Sequence, residues 1–198
     1  MRVLDALRVL NDISSFQKGL FTTAQAKRVG VERHTLSNLE RRGIIERLAK
    51  GVYRMGGVPS AREEEVFAVW LSINPGRIPG DLQDQNAPVA MGATAAWLLE
   101  LGEVGPTPYE FSTRVRKQTK RHNLVLRKRS LDGKDVTIVD GIPTTTPSRT
   151  VLDLIDYGED LSIVANVLND AFKNGLVEQE AELIAEIDKR GVKEGVFH

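Results

Sequence analysis

His34, Ser37, Asn38 and Arg41 stand at i, i+3, i+4 and i+7. In a helix of 3.6 residues per turn they share one face, while Leu36 and Leu39 turn to the other with Val29 and Val31. Arginine pairs bidentately with guanine and asparagine with adenine, while serine and histidine suit bases or phosphates. No acid stands on the centre line of that face. Arg33, Thr35 and Arg42 flank it and belong to the same candidate surface. The chemistry is groove recognition of double-stranded DNA rather than bond-making.

The neighbouring residues say what must position that face. Thr22 and Thr23 precede AQAKRV, a run of good helix formers, and a threonine there can accept a backbone N–H as N-cap. Thr23, at the same helix start, joins the candidate DNA contacts. Gly30 ends this helix, Val31 turns the chain, and Gly43 stops the next helix. IIERLAKGVYRM then reads as a hairpin with a three-residue loop, Ala49-Lys50-Gly51. Lys50 sits at its tip, with Arg47 and Arg54 on the flanking strands; a cationic tip beside a reading helix contacts phosphates and fixes register. Upstream, MRVLDALRVLNDI is apolar at Val3, Leu4, Leu7 and Leu10 and predicts a first helix that covers the core. Together these elements predict a winged helix-turn-helix over residues 1–58. A polar helix face by itself is more often solvated surface. Here helix-turn-helix spacing, a following hairpin and a basic excess coincide and favour DNA. The competing reading is a winged helix used as a protein-interaction module.

The whole chain is neutral, with 27 basic and 27 acidic residues, but the average conceals alternation. Residues 1–58 carry a net +6, 59–107 a net −5, 108–134 a net +7 and 135–198 a net −8. Two basic regions are therefore candidate electrostatic footprints. In the second, Arg114, Arg116, Lys117, Lys120 and Arg121 fall between two expected strands, and Arg127, Lys128 and Arg129 close the later one. They are expected to form a further phosphate-contacting surface, against the blander reading of a solvated loop. There is no cysteine, which removes disulfides and cysteine-ligated zinc. The start of the chain is too charged for a signal peptide, and no stretch approaches the roughly 20 apolar residues that span a bilayer. The expectation is a cytoplasmic protein with no membrane partner.

Beyond Gly56-Gly57-Val58-Pro59-Ser60, a candidate linker, the chain predicts a mixed α/β domain over 59–198. AREEEVFAVWLSI reads as an amphipathic helix with Val66, Val69, Trp70 and Ile73 on one face. NPGRIPGDLQDQNAP is loop, and MGATAAWLLELG a helix with Trp97, Leu98 and Leu101 in the core. PYEFST, NLVLRKR and DVTIVDGIPTTT give three or four strands, expected as a small antiparallel sheet. Thr146-Pro147 starts a helix as N-cap and first helical residue, and two further helices follow. Arg149 and Asp153 stand at i, i+4, where an exposed pair adds only about 0.3–0.5 kcal/mol. The fold class is α+β: a winged helix-turn-helix, then a mixed domain with a small antiparallel sheet and terminal helices.

Nothing in the chain points to catalysis, a cofactor, a metal or a small-molecule ligand. His34, His122 and His198 are scattered and have no metal-ligand spacing. GxSxG, the P-loop and HExxH are absent. Asp132-Gly133-Lys134 has a passing likeness to the end of a nuclease motif, but a turn between two strands wants those residues.

Two stretches also carry a family resemblance. FTTAQAKRVGVERHTLSNLERRGIIERLAKGVYRM is similar to the winged-helix domain of AbiEi-type antitoxins and transcriptional regulators. DGIPTTTPSRTVLDLI resembles the "gipvts…RTvlDl" stretch of their C-terminal part, and MGATAAWLLELG resembles a helix ending in a "GL"-like turn, here reversed as Leu101-Gly102. The resemblance covers roughly residues 5–170. It implies a two-domain antitoxin of a type IV toxin–antitoxin or abortive-infection system. Such a protein binds inverted repeats in its own promoter and represses the operon. It acts against a nucleotidyltransferase-like toxin without needing a stable complex; the alternative is a regulator with no toxin partner. Glu32 departs from the serine or threonine that commonly caps the family's recognition helix.

Overall fold

The computed structural model describes residues 2–77, 84 and 86–196. The chain divides into two compact units, Met1–Ala87 and Pro88–His198.

The first unit runs α1 (Val3–Ser15), β1 (Leu20–Thr22), α2 (Thr23–Arg28), α3 (Arg33–Arg41), β2 (Ile45–Ala49), β3 (Val52–Met55) and α4 (Glu64–Ile73). Its antiparallel sheet has the order β1-β3-β2. β1 is too short for sequence periodicity to reveal, yet it pairs Leu20, Phe21 and Thr22 with Arg54, Tyr53 and Val52. Thr22 caps α2 through a capping box: its hydroxyl accepts the Gln25 N–H at 3.1 Å and the Gln25 side chain accepts the Thr22 N–H at 2.9 Å. Leu10, Phe21, Leu36, Leu39 and Ile45 fill the core, with Phe21 and Tyr53 stacked at 5.7 Å. The stripe of α1 is rotated from expectation. Ala6 and Leu10 are buried, whereas Leu4 is 79% exposed.

The boundary expected after Val58 falls inside this unit. Glu63 pairs with Lys18, and Glu64 with Arg54 at 2.7 Å. α4 is not half-buried but buried almost all round, from Val66 to Leu71. Beyond it, three consecutive carbonyls are held by one side of α2: Pro75 accepts from Thr22 at 2.5 Å, Gly76 from Arg28 at 2.6 Å and Arg77 from Gln25 at 3.1 Å. Buried area and hydrogen bonds, not the Gly-Pro composition of 56–60, decide where the unit ends. Of the expected loop 74–88, residues 78–83 and 85 lie outside the described residues.

The second unit contains β4 (Val89–Ala90), α5 (Gly92–Leu98), β5 (Tyr109–Thr113), β6 (Leu124–Lys128), β7 (Val136–Val139), β8 (Ile142–Thr145), α6 (Pro147–Asp156), α7 (Leu161–Lys173), α8 (Glu180–Lys189) and α9 (Lys193–Val196). The expected small antiparallel sheet is present in mixed form, with order β6-β5-β4-β8-β7. β4–β5 and β7–β8 are antiparallel, while β5–β6 and β4–β8 are parallel. The reason is the 114–123 connection, long enough to carry the chain back to the end where β5 began, so that β6 runs the same way. Asp132-Gly133-Lys134 leads into a short 3-10 turn, Gly133–Asp135, before β7. Thr146 accepts the Arg149 N–H and Pro147 opens α6, as expected. Asp160 caps α7, and its bonds from the Ser162 hydroxyl and N–H hold its carboxyl below the usual carboxylate range. Leu101, Leu154, Val167, Leu168 and Ile187 join the helices in one core; Leu98 is buried too, and Trp97 half-buried.

Gly102 fixes α5 against α7. Its φ is +73°, and an added Cβ would lie 2.3 Å from Val167 Cγ2. Its N–H donates to Asp170 Oδ2 at 2.9 Å. Gly102→Ala should therefore lose about 2–4 kcal/mol through backbone strain and overpacking. Urea unfolding should show a lower midpoint at unchanged slope; a loss under about 1 kcal/mol would mean that α7 yields without resistance.

Candidate nucleic-acid interface

α3 is amphipathic as its spacing required. Leu36 and Leu39 are buried, and His34, Ser37, Asn38 and Arg41 are exposed on the opposite side. Glu32 is the N-cap and makes no side-chain capping bond. Within the polar face, Arg41 Nη2 donates to Asn38 Oδ1 at 2.7 Å, so these two side chains are already ordered as a pair. Thr35 is half-buried, with Oγ1 3.4 Å from His34 Nε2. Arg33 and Arg42 are exposed at the two ends of the helix.

The hairpin differs slightly from expectation. β2 runs through Ala49, so the loop is Lys50-Gly51 alone, with Ala49 opposite Val52 and a register shift between Arg47 and Ala49. Gly51 has φ +76°, the left-handed conformation that the turn needs. Lys50 is exposed at the tip. Thr23 ties this tip to the start of α2, donating its N–H to the Gly51 carbonyl at 2.9 Å. The hairpin tip is thus joined by a direct hydrogen bond to α2, the helix that precedes α3.

Arg54 does not belong with Lys50. It lies on the central strand β3 with its side chain 15% exposed, paired with Glu46 at 2.5 Å and Glu64 at 2.7 Å. Burial alone would lower its pKa, but the bonds and charges of Glu46 and Glu64 outweigh it and raise it. Its charge is neutralised within the unit, so it holds α4 to the sheet.

The second basic run is likewise divided. Arg114, Arg116, Lys117, Lys120 and Arg121 all fall on the 114–123 connection; Arg114, Arg116 and Lys120 are exposed, and Lys117 and Arg121 half-buried. Arg127 and Arg129 instead face α6. Arg127 contacts Glu110 at 3.3 Å and lies 3.7 Å over the Tyr157 ring. Arg129 pairs with Asp153 at 2.7 Å. The Arg149–Asp153 pair, expected on an exposed helix surface, is far from exposed: the Asp153 side chain is 0% accessible and its Oδ1 also accepts from Arg149 at 2.5 Å. Beside it Thr150 and Thr145 hydroxyls share a hydrogen bond of 2.7 Å. The segment RTVLDL thus supplies an internal anchor in which Arg149, Thr150 and Asp153 each have a structural partner.

Residues 8–56 match the family model described as "Transcriptional regulator, AbiEi antitoxin", and residues 87–195 match "AbiEi antitoxin C-terminal domain". The chain belongs to the AbiEi antitoxin family. No curated protein matches it. The first match ends at Gly56, before α4, and the second begins one residue before Pro88, where the second compact unit starts. Among the described residues there is no cluster of histidine, cysteine, aspartate and glutamate fit to hold a metal, and no helix is long and apolar enough to cross a membrane.

Proposed function

We propose that this AbiEi-family chain is a sequence-specific DNA-binding repressor whose first unit is a winged helix. In this reading α3 enters the major groove and the Lys50 tip contacts the adjacent backbone. The observation that carries it is the exposed His34, Ser37, Asn38 and Arg41 face, held over a leucine core and followed by a hairpin with Lys50 exposed at its tip. Its side chains are donors and acceptors of the kinds that read base edges. The target is an inverted repeat in the chain's own promoter, and the 114–121 cations add phosphate contacts without sequence preference. The second unit, which carries the C-terminal family match, is assigned the antitoxic role against a nucleotidyltransferase-like toxin, without a stable complex. The setting is the cytoplasm.

The test is an electrophoretic shift with the chain's own upstream DNA across a salt series. Six or more neutralised phosphates should weaken binding roughly 10³-fold between 50 and 200 mM salt, through counterion release. Absence of a salt-sensitive shift at micromolar protein would sink the repressor reading.

A further inference from the structure

The two edges of the five-stranded sheet are built differently. β6, at one edge, carries Arg127 and Lys128, charges of the kind that discourage strand addition. β7, at the other, reads Val136-Thr137-Ile138-Val139, four β-branched residues without a charge. Ile138 is 51% exposed, and among the described residues β8 is the only strand paired with β7.

Pairing with β8 fixes which backbone groups of β7 point outward. Val139 and Ile142 flank the two-residue loop Asp140-Gly141 and form the hydrogen-bonded pair that closes such a hairpin. Ile138 lies opposite Pro143, which has no N–H to give. By alternation Thr137 is bonded to β8, while Val136 and Ile138 turn their N–H and C=O groups to the open edge.

We infer that β7 pairs antiparallel with β7 of a second copy of this chain, joining the two sheets across a two-fold axis. Parity of the pleat and full overlap of the two strands together set the register. Outward groups must meet outward groups along the whole of both strands, so Val136 faces Ile138 of the second copy and Thr137 sits opposite Thr137 on the axis. Every outward N–H and C=O of both strands then finds a partner, and Ile138 is covered by an apolar neighbour. The same register brings Lys134, in the 3-10 turn before β7, towards Asp140 of the hairpin loop at both ends. A one-residue slip would set an outward group against an inward one. This complementarity of charge and pattern selects a second copy over an unrelated strand. An edge pairing this small makes a weak, concentration-dependent dimer.

The chain has no cysteine, so a single introduced thiol reports register directly. Opposed residues of a non-hydrogen-bonded antiparallel pair have Cα atoms about 4.5 Å apart, within disulfide reach. Thr137→Cys in the full chain should cross-link to a dimer under mild oxidation, and Ile138→Cys, which faces Val136, at least about tenfold less. Sedimentation of the cysteine-free chain should show a monomer–dimer equilibrium. Ile138→Lys, at an exposed position, should weaken it about tenfold or more without changing thermal unfolding. Three results would each overturn the inference: a chain that stays monomeric up to about 100 µM, even if β7 binds another protein; equal cross-linking at 137 and 138; or a dimer that Ile138→Lys leaves intact.

Discussion

Asp153→Asn should destabilise the second unit by about 3 kcal/mol, because it leaves two guanidinium groups facing a neutral amide in a buried position. Asp153 Oδ1 accepts from Arg129 Nη1 at 2.7 Å and from Arg149 Nε at 2.8 Å and Nη2 at 2.5 Å. The acid is fully buried, whereas the Arg129 and Arg149 side chains keep 26% and 13% exposure. Partial hydration of the arginines, and the second contact of Arg149 with Asp156 at 3.4 Å, place the loss at the lower end of the usual range for a broken buried pair. In urea the unfolding midpoint should move to lower denaturant. A variant with under about 1 kcal/mol of loss would show that the carboxylate is not what anchors α6 to the end of β6. An exposed i, i+4 pair would have predicted a loss of only about 0.3–0.5 kcal/mol, so the measurement separates the two environments sharply.

Charge reversal at Arg41 and Lys50 should weaken DNA binding most among surface changes, by roughly tenfold to a hundredfold for each residue. Charge reversal and truncation of Asn38 should differ in kind. Lys50→Glu should weaken binding to all sequences alike, as loss of a phosphate contact does. Asn38→Ala should chiefly relax preference at the bases it reads, by about 1–3 kcal/mol of discrimination. The Arg41–Asn38 hydrogen bond of 2.7 Å adds a condition that the helical wheel did not contain: the two should be non-additive, because each orders the other. Shift assays on matched and scrambled operators, with both single variants and the double, measure that coupling. Unchanged preference in Asn38→Ala would show that α3 does not present this face to the groove. Arg54→Ala, by contrast, should act on stability first, since its partners Glu46 and Glu64 belong to the same unit.

Much of this was legible from short-range signals. A threonine cap at Thr22 or Thr23, the Thr146-Pro147 helix start, the Gly30 and Gly43 stops, four of the five strands of the second sheet and the α3 face were each specified within a few residues. A cap, a turn or one face of a helix is decided by nearest neighbours along the chain. β1 and β4 were not legible, because strands of three and two residues carry no period.

Sequence alone determined which residues stand together on one helix face, where helices begin and which segments favour strands. Tertiary structure decided which partners those residues meet. Arg54, Arg127 and Arg129 belong to the same basic blocks as Lys50 and Arg116, yet Glu46, Glu64, Glu110 and Asp153 neutralise them. It also decided that the first unit ends after α4, that β5 and β6 run parallel, and that Asp153 lies inside. Each of these outcomes joins segments distant in sequence, and charge and hydropathy read along a chain give the face but not the partner. Coulomb pairing and burial are settled only by distance in space.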